Sequence, residues 1–331
     1  QPWSMRWWLV AVTPPPFDWR PLSSATPNLL QTGLVIASYG RHCVVETPDG
    51  ARVICHPRGK KSQVVAGDRV QWQASRDEGT IEKVEPRSNL FFRRDEVRTK
   101  SFAANLDQVL IWLAAEPEFS ESQLARALIA AEAEHIQPLI VLNKRDQAPL
   151  FAAAWQRLAP YRTAGYSVLE AGLLAPEADS LAELRERLAG RTTLVLGPSG
   201  TGKSTLINRL VPGAKVETRE ISQALNSGKH TTTSTTWHWI DRASGTALID
   251  SPGFQEFGLQ HIDAKQLAAY MPDLKPHVAH CRFYNCTHLH EPGCGVMAQV
   301  QKQSGDGPGA ISPSRYRIYR ELFAELSQPR H

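Results

Sequence analysis

The run "GPSGTGKST" (197–205) has the composition of a loop that wraps phosphate. Gly197 is followed by Pro198, Ser199, Gly200 and Thr201, then by Gly202, Lys203, Ser204 and Thr205. Glycines let a backbone curl until its N–H groups converge on phosphate oxygens, and a helix starting there adds its dipole. In that setting Lys203 reaches the β- and γ-phosphates and Ser204 ligates Mg²⁺. The preceding "LVL" is apolar and β-rich, and the following "LINRL" is helical in pattern, which is the context such a loop needs. The loop alone does not choose between ATP and GTP, or between a hydrolase and a kinase.

"PLIVLNKRD" (138–146) supplies that choice. It ends an expected buried strand, where open α/β sheets bind ligands. A carboxylate at Asp146 accepts from both N1–H and the 2-amino group of guanine. Adenine offers no such pair, and a polar site left unpaired discriminates strongly. Asn143 bonds the O6/N7 side of the base or braces the loop, and the stem of Lys144 lies against the ring. A third stretch, "TALIDSPG" (246–253), places Asp250 at a strand end as a metal-side carboxylate, with the amide of Gly253 for the γ-phosphate. Between the phosphate loop and this stretch lies "SGKHTTTSTT" (227–236), whose threonines include Thr231 as a candidate Mg²⁺ ligand of a first switch. Ras-like enzymes carry a water-orienting Gln directly after Asp-x-x-Gly. That position is Phe254 here, which cannot polarise water, so His230 is the nearest candidate for the role.

Metal chemistry is signalled separately. Cys281, Cys286, His288 and Cys294 offer three thiolates and one imidazole, a set that closes a tetrahedral shell around one structural zinc. His280 and His290 are competing ligands. Five cysteines, three of them clustered, argue against a disulfide framework.

These groups need elements to hold them. Residues 32–90 read as five short strands, with "PDG" (48–50) as a hairpin turn, and suit a small OB-type β-barrel. "HPRGKK" (56–61) forms a basic rim with Arg58, Lys60 and Lys61, and "FFRRDEVRTK" (91–100) reads as a charged linker. From residue 107 apolar runs alternate with helical patterns: strands near 107–115, 138–142, 166–169, 192–196, 236–241 and 246–250, and helices after Ser120, near 149–159 and from a Ser180/Glu183 capping box to Gly190. That alternation predicts a parallel, helix-covered sheet. After about 260 the chain turns helical around the Cys/His segment and ends in "RYRIYRELFAEL". The expected boundaries are a flexible Pro-rich arm over 1–30, the barrel over 31–100, the nucleotide domain over 101–260 and the zinc domain over 261–331.

The net charge is only +4, yet residues 31–100 alone carry a basic excess of that size, which permits nucleic-acid contact. Arg315, Arg317 and Arg320 near the chain end would add to it, while Tyr316 and Tyr319 read as packing residues. No apolar run reaches the ~18 residues of a membrane helix. The start, "MRWWLVAVTPPP", is too short and Trp-rich for a secretory signal.

The motifs run in the order base site, phosphate loop, first switch, second switch. The same sheet arises if former chain ends are joined and a new break made elsewhere, since domain termini lie at the surface and often close together. The break then falls after the second switch, so loss of the γ-phosphate would pull on residues 261–331. With its barrel, Asn-Lys-x-Asp, Gly-x4-Gly-Lys-Ser, "GKHTTT" (228–233), "DSPG" and Cys/His segment, the chain resembles the circularly permuted, ribosome-small-subunit-dependent GTPases of bacteria. The resemblance implies a cytoplasmic, monomeric GTP hydrolase acting late in small-subunit maturation on 16S rRNA, with GTP/GDP, Mg²⁺ and one Zn²⁺. It also points to His230 in hydrolysis and to His288 as the zinc imidazole. The guanine-bracing loop departs from the usual Ser-Ala pair, Glu170, Ala171 and Gly172 being the nearest positions. Two other readings fit the same residues: an ATP-using P-loop enzyme, and an RNA-binding module holding GTP as a structural ligand.

Overall fold

The computed structural model describes residues 29–39, 42–59, 63–75, 78–174, 181–214, 235–251, 257–301 and 310–328. Most of the expected N-terminal arm, Lys60, Lys61, Ser180, His230, Thr231, Gly253, Phe254 and the turn at 304–309 lie outside them.

Five strands build the barrel: β1 (Gln31–Ser38), β2 (Cys43–Glu46), β3 (Arg52–Pro57), β4 (Arg69–Ala74) and β5 (Gly79–Val84). They pair in the order β1-β2-β3-β5-β4, and β4 returns to β1, which closes the ring. Val35, Val45, Cys55, Val70, Trp72 and Ile81 alternate inward and fill it.

The second unit is a six-strand sheet in the order β10-β9-β8-β11-β13-β12. Its members are β8 (Gln108–Ala114), β9 (Gln137–Asn143), β10 (Ser167–Glu170), β11 (Thr192–Leu196), β12 (Thr235–Asp241) and β13 (Thr246–Asp250). All pairings are parallel except β12 with β13. Every residue of β8 is buried, as its unbroken apolar run requires of a strand covered on both faces. Helix α1 (Glu121–Ala133), capped by the Ser120 side chain, lies on one face, with Leu124, Ala127, Leu128 and Ala131 turned inward. Helices α4 (Ala182–Leu188) and α5 (Lys203–Leu210) bring Leu184, Leu188, Leu206 and Ile207 to the other.

Four features depart from the sequence reading. The helix expected near 149–159 is two, α2 (Ala148–Arg157) and α3 (Ala159–Thr163), divided just before Pro160, which has no N–H to continue the ladder. Helix α4 has Leu181 at its N-cap without a side-chain cap, in place of the Ser180 box, though Gly190 does end the turn with φ 67°. Residues 91–100 belong to a hairpin, β6 (Leu90–Arg94) with β7 (Thr99–Ala104), whose inward Phe91 and Phe102 join the main core. Finally, the barrel does not stand apart: β1 pairs with β12 at Ala37–Thr236 and Ser38–Thr235, making one continuous eleven-stranded sheet.

The β6–β7 hairpin also holds the chain that leaves the "DSPG" stretch. Arg94 donates its N–H to the Gly258 carbonyl (3.0 Å) and accepts from Gln260 N–H (2.9 Å). Phe257 packs between Phe91 and Phe102, with ring centroids 5.6 and 6.0 Å away. The path to the C-terminal region is therefore pinned to β6 first, rather than running straight on. That region comprises a 3-10 turn, η1 (Ala264–Tyr270), then α6 (Lys275–Val278), α7 (Gly295–Gln301) and α8 (Pro313–Leu326). Helix α8 docks on the nucleotide domain. Arg315 makes two 2.9 Å bonds to Asp273 over the ring of Tyr161, and Arg126 of α1 forks onto Glu325.

Candidate functional site

Strands β9, β11 and β13 are parallel, so the residues at their C-terminal ends emerge on one edge of the sheet. Asn143 ends β9, Leu196 ends β11 and leads into Gly197, and Asp250 ends β13. One strand, β8, separates β9 from β11, which puts the two motifs roughly 10 Å apart at ordinary strand spacing. The sequence order of the motifs is thus irrelevant to their meeting.

The phosphate loop is drawn tight. Gly200 and Gly202 adopt φ of 84° and 95°, which side chains disfavour. A Cβ on Gly197 would come within 2.1 Å of the Trp112 carbonyl oxygen, so only glycine lets the loop leave β11 there. Thr201 Oγ1 donates to the Pro198 carbonyl at 2.9 Å. Lys203 Nζ, at the first position of α5, donates to the carbonyls of Gly197 (2.6 Å) and Pro198 (2.8 Å) and so lies across the loop. Ser204 and Thr205 are half-buried beside it, and Ser199 is exposed.

Two side chains tie this loop to the base motif. Asn143, 3% exposed, donates from Nδ2 to the Thr201 carbonyl (2.9 Å) and accepts from Leu173 N–H (3.3 Å). These two bonds brace the loop from the end of β9. Trp112 Nε1 donates to the same Thr201 carbonyl at 2.9 Å. Trp112 is a site residue that sequence reasoning passed over, because a Trp inside a continuous apolar strand looks like core. Beyond Asn143 the chain turns sharply, Lys144 at φ 68°, and leaves Asp146 exposed at the rim. The loop after β10 supports that turn through main chain: Arg145 N–H donates to the Ala171 carbonyl (3.2 Å) and Ala171 N–H to the Leu142 carbonyl (2.8 Å). A side chain at 170–172 is not needed for this contact.

The electrostatics of the edge are those of an ion-binding cleft. Burial pulls the Lys203 ammonium down to about 8, with Asp250 opposing. Burial likewise pushes the Asp250 carboxyl up to about 6, with Lys203 opposing. Burial thus disfavours the ionised form of each, which an anion beside Lys203 or a cation beside Asp250 would favour. Ser251, directly after Asp250, is held by a 2.7 Å bond to the Val195 carbonyl.

The second cluster brings together Cys281, Cys286, His288 and Cys294, with their ligand atoms all within 4.8 Å of one another. His288 Nδ1 lies 3.4 Å from Cys281 Sγ and 3.5 Å from Cys294 Sγ, and those two sulfurs are 4.0 Å apart. Zinc with ordinary bond lengths asks for about 3.5 Å between nitrogen and sulfur and about 3.8 Å between sulfurs. His288 is placed by a left-handed φ of 59°, and burial holds its imidazole below the ordinary range, in the neutral form a metal needs. Tyr316 and Tyr319 of α8 donate to the carbonyls of His288 (2.7 Å) and Thr287 (2.8 Å), so both tyrosines pack as expected. His280 and His290 are exposed and stand outside the set. Arg315 is overturned as a phosphate contact: it is 1% exposed and committed to Asp273. Arg58 and Arg317 are exposed, 73% and 69%.

A parallel sheet carrying a phosphate loop on one strand end, and a guanine-type motif that precedes it in the chain on another, defines a P-loop GTPase of circularly permuted connectivity. The RsgA GTPase family model matches residues 84–260, more than half of the chain, and the chain belongs to that family. It is 67% identical over 309 residues to the small ribosomal subunit biogenesis GTPase RsgA of Variovorax paradoxus (strain S110), covering 93% of this chain and 96% of that one. It is 52% identical over 298 residues to the protein of the same name from Burkholderia pseudomallei (strain K96243), covering 89% and 92%. Among solved structures it resembles YjeQ from Thermotoga maritima (TM-score 0.70, 28% identity, 91% of this chain and 100% of that one). It also resembles YloQ, described as a circularly permuted GTPase (TM-score 0.66, 26% identity, 93% and 100%).

Proposed function

We propose that this chain hydrolyses GTP on the small ribosomal subunit, in late maturation of that particle, and that hydrolysis drives its own release. The observation supporting the reading is the Asn143–Thr201 bond, which ties the base motif to the phosphate loop, as one nucleotide spanning both requires. Asp146 reads guanine, with Lys144 along the ring. The amides of 197–202, the Lys203 ammonium and the Gly253 amide hold the phosphates. Lys203 must exchange its loop carbonyls for phosphate oxygens, and the incoming charge restores its full protonation. Ser204, Thr231 and Asp250 are the residues that would hold Mg²⁺, which neutralises charge on the β- and γ-phosphates when bound. The buried carboxyl of Asp250 suits that cation. His230 orients the attacking water. With no water-orienting group after Asp-x-x-Gly, hydrolysis by the free protein is slow, and docking on the particle speeds it.

Zinc is the ion the Cys281, Cys286, His288 and Cys294 set fits. With all four positions filled by protein, its role is structural. Contact with 16S rRNA falls to the barrel rim and to Arg317 and Arg320. Function divides along 31–100, 101–260 and 261–331, with 1–30 as an arm, and loss of the γ-phosphate shifts 261–331. The setting is the cytoplasm and the working form a monomer. No helix among the described residues is long and apolar enough to cross a membrane.

The test is multiple-turnover GTP hydrolysis with and without purified small subunits. A large rise on adding them is expected, and a rate indifferent to them overturns the reading. Loss of that rise in His230→Ala, with GTP affinity retained, would support the water-orienting role.

A further inference from the structure

If particle binding at the barrel is to accelerate chemistry at the nucleotide edge, something must join the two. We propose that Glu46 is the positioning residue that makes this joint rigid, so that force on the barrel reaches Asp250. The inference rests on the functional reading above and adds the route.

The route is a single row of residues across the continuous sheet. Ala37 of β1 faces Thr236 of β12, Thr236 faces Asp250 of β13, and Asp250 faces Val195 of β11, next to the strand end that enters the phosphate loop. Two strand spacings, roughly 10 Å, separate the barrel from the buried carboxylate. Among the described residues β1 and β12 share the register pairs at 37–236 and 38–235, and the junction needs side-chain support to act as one body.

Glu46 supplies that support. It sits on β2 opposite Leu34 of β1, and its side chain is 3% exposed although it carries a charge. It accepts from Trp239 Nε1 of β12 (2.8 Å) and pairs with Arg242 of the β12–β13 turn (2.6 Å) and with Arg52 of β3 (3.2 Å). Arg242 in turn lies over the Trp239 ring, 5.3 Å from its centroid. Two of the three partners belong to the nucleotide domain's hairpin and one to the barrel. A buried carboxylate satisfied from both units favours one orientation, because rotation between them breaks the Trp239 and Arg242 contacts and leaves it only Arg52 of its own unit. Glu46 touches neither substrate nor metal, so its effect is on transmission.

The experiment compares the wild type with Glu46→Gln and Trp239→Phe. The first keeps shape and an acceptor but drops the charge; the second keeps the packed ring and drops the N–H. For both, turnover with small subunits should fall about tenfold, the size of an ordinary coupling energy, while basal turnover, GTP affinity and small-subunit affinity stay within about twofold. Variants stimulated as strongly as the wild type overturn the inference. So does an equal fall in basal and stimulated rates, which marks a merely structural role. A wild type indifferent to small subunits sinks the functional reading first and this route with it, so the two failures are told apart.

Discussion

At Asn143 and Asp146 one tetrapeptide splits its labour. Asn143 is buried and spends its amide on Thr201 and Leu173, whereas Asp146 stands exposed at the rim, open to a base. Asp146→Asn should therefore lower GTP affinity by ~10³-fold or more, the cost of mispairing the guanine N1–H and 2-amino edge, and favour a xanthine nucleotide whose C2 carbonyl can accept from the new amide. Competition binding with GTP and XTP reads this directly. Asp250 makes a different prediction. Its pKa is raised by burial to about 6, so the folded state gains from protonation below the ordinary value of 3.8 and loses that gain as pH rises through about 6. At pH 7–8 the nucleotide-free protein carries a costly buried charge. Asp250→Asn should then raise its stability at that pH by up to about 3 kcal/mol, with the benefit gone near pH 4, while hydrolysis is abolished. Thermal melts at the two pH values check the sign. The motif residues were legible in the sequence because backbone curling, charge and base pairing demand particular residue types. Trp112 was not, since its indole N–H serves the loop from inside a strand that reads as core, and Arg315 misled because its burial depends on Asp273, 42 residues away.

Among the elements, the strands of the main sheet followed from their unbroken apolar runs, and the barrel from alternation and turn residues. The β6–β7 hairpin hid itself. Its tip, Asp95 to Arg98, carries charges and neither Gly nor Pro, closing through an Asp95 N–H bond to the Arg98 carbonyl at 3.0 Å. Its apolar ends, Phe91 and Phe102, are buried in the main core, partly by Phe257 arriving from far along the chain. That junction is tight: a Cβ on Gly258 would meet the Arg94 carbonyl oxygen at 2.5 Å. Gly258→Ala should cost about 1–3 kcal/mol by forcing the backbones apart, and it should loosen the chain between Asp250 and η1. Hydrogen exchange at the Arg94 and Gln260 amides would rise if this is so, and unchanged protection would refute it.

For the whole molecule, the permuted order leaves the sheet intact and changes what the chain is tied to. The chain that follows Asp250 passes β6, then enters a C-terminal region clamped by Arg315–Asp273 and Arg126–Glu325. Arg315→Ala, which strands a buried carboxylate, should destabilise the protein by about 3–5 kcal/mol. Denaturant melts would measure it. Stripping zinc with a chelator should unfold the segment around Cys281–Cys294 and weaken small-subunit binding, with guanine-nucleotide affinity nearly unchanged. A parallel loss of nucleotide binding would mean that the two sites are not separable.

One nucleotide must bridge two strand ends that the chain visits in reversed order. A crystal structure with Mg²⁺ and GDP or a non-hydrolysable GTP analogue measures this most directly. The expected result is guanine N1 and N2 on the Asp146 carboxylate and the β-phosphate against Lys203 Nζ in a single molecule. A nucleotide whose base lies away from Asp146 while its phosphates occupy the loop would contradict it.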